Sequence, residues 1–130
     1  MTPFAAALAV AAGGALGALL RWGVSSWTAR SLASQPGWAG FPLGTVIVNV
    51  VGTFALAYLI SAGASRGVGG PGMRLFLGTG LLGALTTFST FGLDTHGLLL
   101  QGRAGQGMLY LGATLTLAGL AVVAGWALGR

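Results

Sequence analysis

Long apolar segments alternate with short stretches of Gly, Pro and polar residues along this chain. An α-helix rises about 1.5 Å per residue, so about twenty apolar residues suffice to cross the hydrocarbon core of a bilayer. The pattern predicts an all-α integral membrane protein, with one domain over residues 1–130 built from transmembrane helices. The predicted helices cover approximately residues 4–28, 41–62, 73–100 and 106–128.

The third segment carries its most polar stretch near its centre. Gly80 and Gly83 precede a cluster of hydroxyl residues, and both features disfavour regular helix. The cluster consists of Thr86, Thr87, Ser89 and Thr90. Lipid offers no hydrogen-bond partners to freed backbone groups, so the pattern favours a helix break near residues 83–87, at the membrane midplane, lined by protein, an ion or water. The alternative is a regular helix whose hydroxyls bond back to their own carbonyls.

Polar residues at four-residue spacing occur in the second and fourth segments. They are Thr45, Asn49 and Thr53 in the second segment, and Gln106, Tyr110 and Thr114 in the fourth. This spacing places each set on one face of its helix. A buried Asn49 amide needs partners, and it could serve either to join two helices or to donate a hydrogen bond into a pore.

Three larger side chains stand out in the first and third segments. Phe88 and Phe91 are three residues apart, so they share one helical face just past the expected break. Arg21 lies near the end of the first segment, where an arginine either anchors the helix at the interface or lines a polar vestibule.

The composition excludes several classes of protein. Apolar residues make up 55% of the chain, which has too few polar residues to cover a soluble fold. Asp94 is the only acid, His96 is the only histidine, and cysteine is absent. Paired-carboxylate catalysis and a thiolate metal site are therefore excluded, and an enzyme is the least expected class. The six basic residues occur singly rather than in a cluster, so no nucleic-acid partner is expected.

The arginines fall almost evenly on the two sides of a four-helix topology. Arg66, Arg74 and Arg130 lie on the side of the N-terminus, whereas Arg30, Arg103 and the nearby Arg21 lie on the other. The positive-inside rule therefore gives no firm orientation. A chain without charge bias can insert both ways, and an antiparallel two-fold dimer uses both orientations.

Three motifs along nearly the whole chain resemble the Fluc, or CrcB-type, small fluoride channels. They are the runs GGALGALLRW at 13–22, PLGTVIVNVVGTF at 42–54 and GLLGALTTFSTF at 80–91. The resemblance implies a multi-pass protein of the prokaryotic cell (inner or plasma) membrane that exports cytoplasmic fluoride passively. It also implies a dual-topology antiparallel homodimer, embedded in the lipid bilayer, with two separate pores.

The resemblance assigns roles to particular residues. A structural sodium ion on the two-fold axis is expected to be bound by the backbone carbonyls of Gly83 and Thr86 from each subunit. The fluoride pathway is expected to include Asn49, Phe88, Phe91, Tyr110, Thr114 and Arg21. Two residues depart from the family pattern: Ala84 replaces a usual glycine of the break, and Asp94 replaces a frequent glutamate.

Two other functions compete with a fluoride channel. A dual-topology small multidrug-type exporter coupled to protons needs a membrane-embedded carboxylate, for which Asp94 is the only candidate. A purely structural or lesion-forming membrane protein would not need polar stripes that converge on a helix break.

Overall fold

The computed structural model describes all residues from 1 to 130, and every regular element is helical. Four helices are long and apolar enough to cross a membrane: Pro3–Leu32, Leu43–Ser65, Pro71–Leu100 and Ala104–Gly129. The prediction of an all-α chain with four candidate membrane spans is therefore confirmed. The protein is a multi-pass membrane protein.

The third span is the only one composed of several segments. The first two spans are the single helices α1 (Pro3–Leu32) and α2 (Leu43–Ser65). The third contains α3 (Pro71–Arg74), a π-helical segment (Leu75–Leu82), α4 (Gly83–Leu85) and α5 (Phe88–Leu100). The fourth span is α6 (Ala104–Gly129). Within the third span, only Thr86 and Thr87 lie outside a helix.

The helix ends follow from local sequence. Pro3 occupies the first turn of α1, where its missing amide hydrogen costs nothing, and the Thr2 hydroxyl oxygen accepts from the Ala5 amide at 3.2 Å. Gly102 has a φ of 72° in the tight turn between α5 and α6, a backbone conformation that favours glycine.

Glycines allow α1 to pack closely against the π-helical segment. A methyl group at Gly13 would overlap the Phe76 carbonyl, and one at Gly17 would overlap the Leu81 carbonyl. On the facing side, a methyl group at Gly80 would lie 2.8 Å from the Val10 carbonyl oxygen. Small residues on both surfaces therefore bring the two backbones into direct contact, as is common between membrane helices.

A second close pair joins α2 to the C-terminal half of α6. A methyl group at Gly125 would overlap the Phe54 carbonyl, and one at Gly129 would lie 2.6 Å from the Ser61 Cβ. The Ser61 hydroxyl also donates to the Trp126 carbonyl at 2.8 Å. Glycine contacts and a hydrogen bond to the backbone thus hold these two spans together.

Little of the single chain is buried, since only 25 of 130 residues are shielded from the surroundings. One core cluster lies around Tyr110 between α2, α5 and α6, and a smaller one lies around Val48 between α2 and the π-helical segment. Most large apolar side chains point outward, where lipid or another chain covers them in a membrane.

Arginine side chains tie the connecting segments to neighbouring helix ends. Arg66 donates to the Leu128 carbonyl at 3.1 Å, and Arg74 donates to the Gly63 carbonyl at 2.8 Å. At the opposite end of the molecule, Arg103 donates to the Gly37 carbonyl at 3.4 Å. Arginine side chains therefore donate hydrogen bonds to backbone carbonyls at both ends of the helix bundle.

Candidate functional site

Two threonines form the interruption of the third span. Thr86 (φ −79°, ψ 152°) and Thr87 (φ −153°, ψ 123°) have extended backbone, which suits their branched side chains. The Thr86 amide and hydroxyl both donate to the Leu82 carbonyl, at 3.1 and 3.0 Å, and close the last turn of the preceding helix. The Thr87 hydroxyl oxygen accepts from the Thr90 amide at 3.2 Å and caps α5. The chain thus leaves one helix and enters the next within two residues.

Asn49 of α2 binds directly to this interruption. Its Oδ1 accepts a hydrogen bond from the Thr87 amide at 2.8 Å, and its Nδ2 donates to the Thr87 carbonyl at 3.1 Å. The Asn49 amide therefore joins α2 to the third span. The second Nδ2 hydrogen has no partner within the chain.

These contacts redirect the donors that regular helix would supply to two carbonyls. In an α-helix the Gly83 carbonyl would accept from the Thr87 amide, four residues on, but that amide donates to Asn49. The Thr86 carbonyl would accept from the Thr90 amide, which instead donates to the Thr87 hydroxyl oxygen. The usual partners of both carbonyls are thus engaged elsewhere.

A cleft of about 430 Å³ opens beside the interruption, between α2, the third span and α6. Its lining residues are Asn49, Thr53, Gly83, Thr86, Thr87, Phe88, Phe91, Thr114, Leu115 and Ala118. The family resemblance assigned eight residues to the fluoride pathway or the sodium site, and six of them line this cleft. Tyr110 and Arg21 are the two that do not. No charged side chain lines the cleft.

Aromatic rings continue from the cleft toward Tyr110. Phe88 is 82% exposed at the cleft, whereas Phe91 is buried, and their ring centroids are 5.8 Å apart. The Phe91 and Tyr110 centroids are 5.3 Å apart. Tyr110 therefore lies behind Phe91, as the next ring of a continuous row.

The Thr114 hydroxyl is the one buried polar group of the cleft that the chain leaves unpaired. Thr114 is only 4% exposed, and its Oγ1 has no hydrogen-bond partner. Buried polar groups in folded proteins almost always have a partner. The cleft therefore offers a free hydroxyl to a ligand, to water or to a group from another chain.

The sequence alone did not predict a cluster of polar contacts centred on Asp94 of α5. Oδ2 of Asp94 accepts hydrogen bonds from the Thr45 hydroxyl at 2.9 Å and from the Tyr110 hydroxyl at 3.2 Å. No arginine pairs with Asp94, which borders two smaller cavities of about 210 and 140 Å³. Thr45 and Tyr110 belong to the two sets of polar residues that recur at four-residue spacing on α2 and α6. That spacing was the sequence signal that could have indicated a shared hydrogen-bond acceptor.

Arg21 lies apart from the cleft within one chain. It is half-buried on α1, and its guanidinium makes no hydrogen bond to the rest of the chain. The structure therefore brings together the candidates from α2, the third span and α6 but not the one from α1.

The fold and the cleft define a small multi-pass membrane protein whose polar groups converge between its helices, an arrangement typical of channels and transporters. More particularly, the chain belongs to the family described as "CrcB-like protein, Camphor Resistance (CrcB)", whose profile matches residues 8–126. The resemblance noted in the three sequence motifs is thereby confirmed.

Relatives match the chain over almost its whole length. The "Fluoride-specific ion channel FluC" of Agrobacterium fabrum is 43% identical over 121 residues, which is 93% of each chain. The protein of the same name from Rhizobium meliloti is 44% identical over 123 residues, covering 95% of this chain and 94% of its own. That of Thermus thermophilus is 40% identical over 122 residues, covering 94% and 91%. These relatives carry the name of an ion channel rather than of an enzyme, and they are bacterial, which supports a prokaryotic origin.

Proposed function

We propose that this protein is a fluoride-selective passive ion channel that lets cytoplasmic fluoride leave the cell. The observation that carries the proposal is the cleft beside Thr86 and Thr87, which holds hydrogen-bond donors and no charged side chain. Its relatives named as fluoride-specific channels support the choice of ion.

The chemistry of the cleft suits a small, strongly hydrated anion. Such an ion crosses a membrane only where protein groups replace its water. The unpaired Thr114 hydroxyl and the second Nδ2 hydrogen of Asn49 are donors of this kind. The ring edges of Phe88 and Phe91 carry partial positive charge and add weaker attraction. A cationic side chain in the cleft would bind the anion more tightly and slow its exit.

The working unit is an antiparallel, dual-topology homodimer with two pores. In a single chain the cleft is open, Phe88 and Gly83 are exposed beside it, and most large apolar side chains have no protein neighbour. A second copy in the opposite orientation would cover this face and convert each open cleft into an enclosed path. The nearly even distribution of arginines between the two ends of the chain agrees with dual insertion.

The helix interruption is proposed to lie at the membrane midplane. Fifteen residues of the 30-residue third span precede Thr86, so the interruption is at the centre of the span. Extended backbone at that depth requires partners other than lipid. Asn49 supplies them for Thr87, and the cleft and the partner subunit surround the rest.

A structural sodium ion is proposed to bind the Gly83 and Thr86 carbonyls of both subunits. The fit of this site rests on the diverted helical donors, which leave these two carbonyl oxygens as hard ligands for such a cation. The bound cation supplies positive charge near the path of the anion. Tyr110 and Arg21, which do not line the cleft, are proposed to belong to the fluoride pathway outside it.

The alternative is a proton-coupled exporter of the small multidrug type. Such a protein would load and release protons at Asp94, the single acid of the chain. Asp94 does not line the cleft beside Thr86 and Thr87, and its Oδ2 accepts hydrogen bonds from two hydroxyl donors. These contacts favour a structural carboxylate over a shuttling one.

The proposal is tested by fluoride efflux from liposomes that contain the purified protein. The potassium ionophore valinomycin sets the voltage, chloride is measured in parallel, and protein-free liposomes give the background leak. A channel releases fluoride rapidly, retains chloride, and responds to voltage without a pH gradient. Retention of fluoride by a folded, dimeric protein would refute the channel, and release only under a pH gradient would favour the exporter.

A further inference from the structure

The Asn49 amide is placed to control the backbone of the third span. We propose that Asn49 is a positioning residue whose amide keeps Thr87 extended and thereby keeps the Gly83 carbonyl free to bind a cation. The first half of this inference stands on the geometry of one chain. The second half rests on the sodium site of the proposed function.

The two hydrogen bonds between Asn49 and Thr87 distinguish extended from helical backbone. In an extended residue the amide hydrogen and the carbonyl oxygen point to the same side, as in a hydrogen-bonded pair of antiparallel strands. In an α-helix the two groups point in opposite directions along the axis. One Asn49 side chain can therefore bind both groups of Thr87, at 2.8 and 3.1 Å, only while Thr87 is extended.

Because Thr87 is buried, its extended backbone depends on the two hydrogen bonds with Asn49. Thr87 is 8% exposed, so its amide and carbonyl would lack partners if the Asn49 amide were removed and the backbone stayed extended. Leaving such groups unpaired away from water is unfavourable. The available remedy is to extend α4 through Thr87, which restores the regular bond from the Thr87 amide to the Gly83 carbonyl. That bond would occupy the carbonyl proposed to bind sodium.

A second feature of α2 supports its role as the template for the interruption. Gly52, one turn beyond Asn49, faces the other extended residue, and a methyl group there would lie 2.5 Å from Thr86 Cγ2. Thus α2 binds Thr87 through an amide and makes room for Thr86 through a missing side chain. Asn49 and Gly52 are three residues apart, so both lie on the face of α2 that packs against the third span.

Asn49 also lines the cleft, so a loss of transport alone would not separate positioning from contact with the anion. Thr114→Val provides the matched control. It removes a donor from the same cleft, preserves the shape of the side chain, and affects a hydroxyl that bonds to nothing in the third span.

The sequence permits a direct measurement of the interruption. Thr86-Thr87 is the only pair of adjacent threonines in the chain. In protein labelled with carbonyl-¹³C and ¹⁵N threonine, an HNCO spectrum therefore contains one cross-peak, from the Thr86 carbonyl carbon and the Thr87 amide. The spectrum is recorded on the dimer in detergent while sodium chloride replaces N-methylglucamine chloride at constant ionic strength.

We expect the wild-type peak to move in the carbonyl dimension as sodium is added, and Thr114→Val to behave in the same way. In Asn49→Leu the peak should be displaced toward helical shifts before sodium is added, and the response to sodium should be lost. If Asn49→Leu does not form dimers, Asn49→Asp serves instead, since its second oxygen opposes the Thr87 carbonyl and should also displace the peak.

The outcomes separate the two halves of the inference. A variant peak that superimposes on the wild type with and without sodium overturns the positioning role. A displaced peak that still moves with sodium as in the wild type overturns the link to the cation. If the wild-type peak does not move when sodium is added, the proposed sodium site is refuted. The position of the peak in the Asn49 variant still decides whether Asn49 keeps Thr87 extended. Fluoride efflux, measured separately, tests the channel itself.

Discussion

The Tyr110 hydroxyl donates to Oδ2 of Asp94 at 3.2 Å and so joins α6 to α5. Thr45 of α2 donates to the same oxygen at 2.9 Å, which means that one carboxylate oxygen connects three helices. A charge in a membrane span is costly unless it is paired or hydrogen-bonded. With no arginine partner, Asp94 depends on these two hydroxyls, and Tyr110 has a structural task whatever it contributes to ion passage.

Tyr110→Phe removes one of the two donors to Asp94 while keeping the ring between its neighbours. A hydrogen bond to a charged group contributes about 1.5 to 3 kcal/mol, and we expect the free energy of unfolding in mixed micelles to fall by about that amount. Tyr58→Phe is the matched control, because the Tyr58 side chain is 39% exposed and its hydroxyl makes no hydrogen bond. Equal stability of the two variants would mean that the Tyr110 hydroxyl does not support Asp94.

Asp94→Asn distinguishes a channel from a proton-coupled exporter. The amide oxygen can still accept from Thr45 and Tyr110, so we expect a folded dimer whose fluoride efflux stays within about tenfold of the wild type, a change of up to about 1.4 kcal/mol in the barrier. An exporter would lose all coupled transport, since the variant has no acid left to carry protons. Complete loss of efflux in a dimeric Asp94→Asn protein would therefore count against the passive channel.

Residue types and spacing were enough to predict the four spans and the faces that carry Asn49 and Thr114. Both predictions depend on local periodicity and on the length of apolar segments, which the sequence displays directly. The partner of Asn49 could not be read in this way. Thr87 lies 38 residues further along the chain. The packing of α2 against the third span determines which backbone groups of Thr87 contact the Asn49 side chain.

The π-helical segment at Leu75–Leu82 was not predicted either. Its wider hydrogen-bond pattern has no distinct residue signature, and it occurs where the segment packs against α1 through Gly13 and Gly17. Ala84, the departure from the family pattern, has helical backbone in α4, and the interruption begins only two residues later at Thr86. The hydroxyl partners of Asp94 were not predicted because they come from two other helices, α2 and α6, and depend on how the three helices pack.

The close approach of α1 to the third span predicts a sharp difference between two nearby glycines. A methyl group at Gly17 would overlap the Leu81 carbonyl, whereas one at Gly14 meets nothing within 4 Å. We expect Gly17→Ala to force the backbones apart and to lower the free energy of unfolding by about 1 to 3 kcal/mol. Gly14→Ala should leave stability unchanged or slightly raised, since alanine favours helix. Denaturation of both variants in mixed micelles checks the contrast, and similar losses in both would argue against this packing.

Thr114→Val tests whether the unpaired hydroxyl of the cleft is a ligand for the passing anion. The substitution preserves side-chain shape, and the hydroxyl has no partner within the chain, so we expect no loss of dimer stability. If the hydroxyl replaces one water of fluoride during passage, its removal should raise the barrier by about one hydrogen bond, and efflux should slow about tenfold. Thr116→Val, on an exposed face of the same helix and outside the cleft, provides the control and should retain wild-type efflux. Unchanged efflux in Thr114→Val would show that the anion passes without this hydroxyl, and equal slowing in both variants would assign the effect to α6 as a whole.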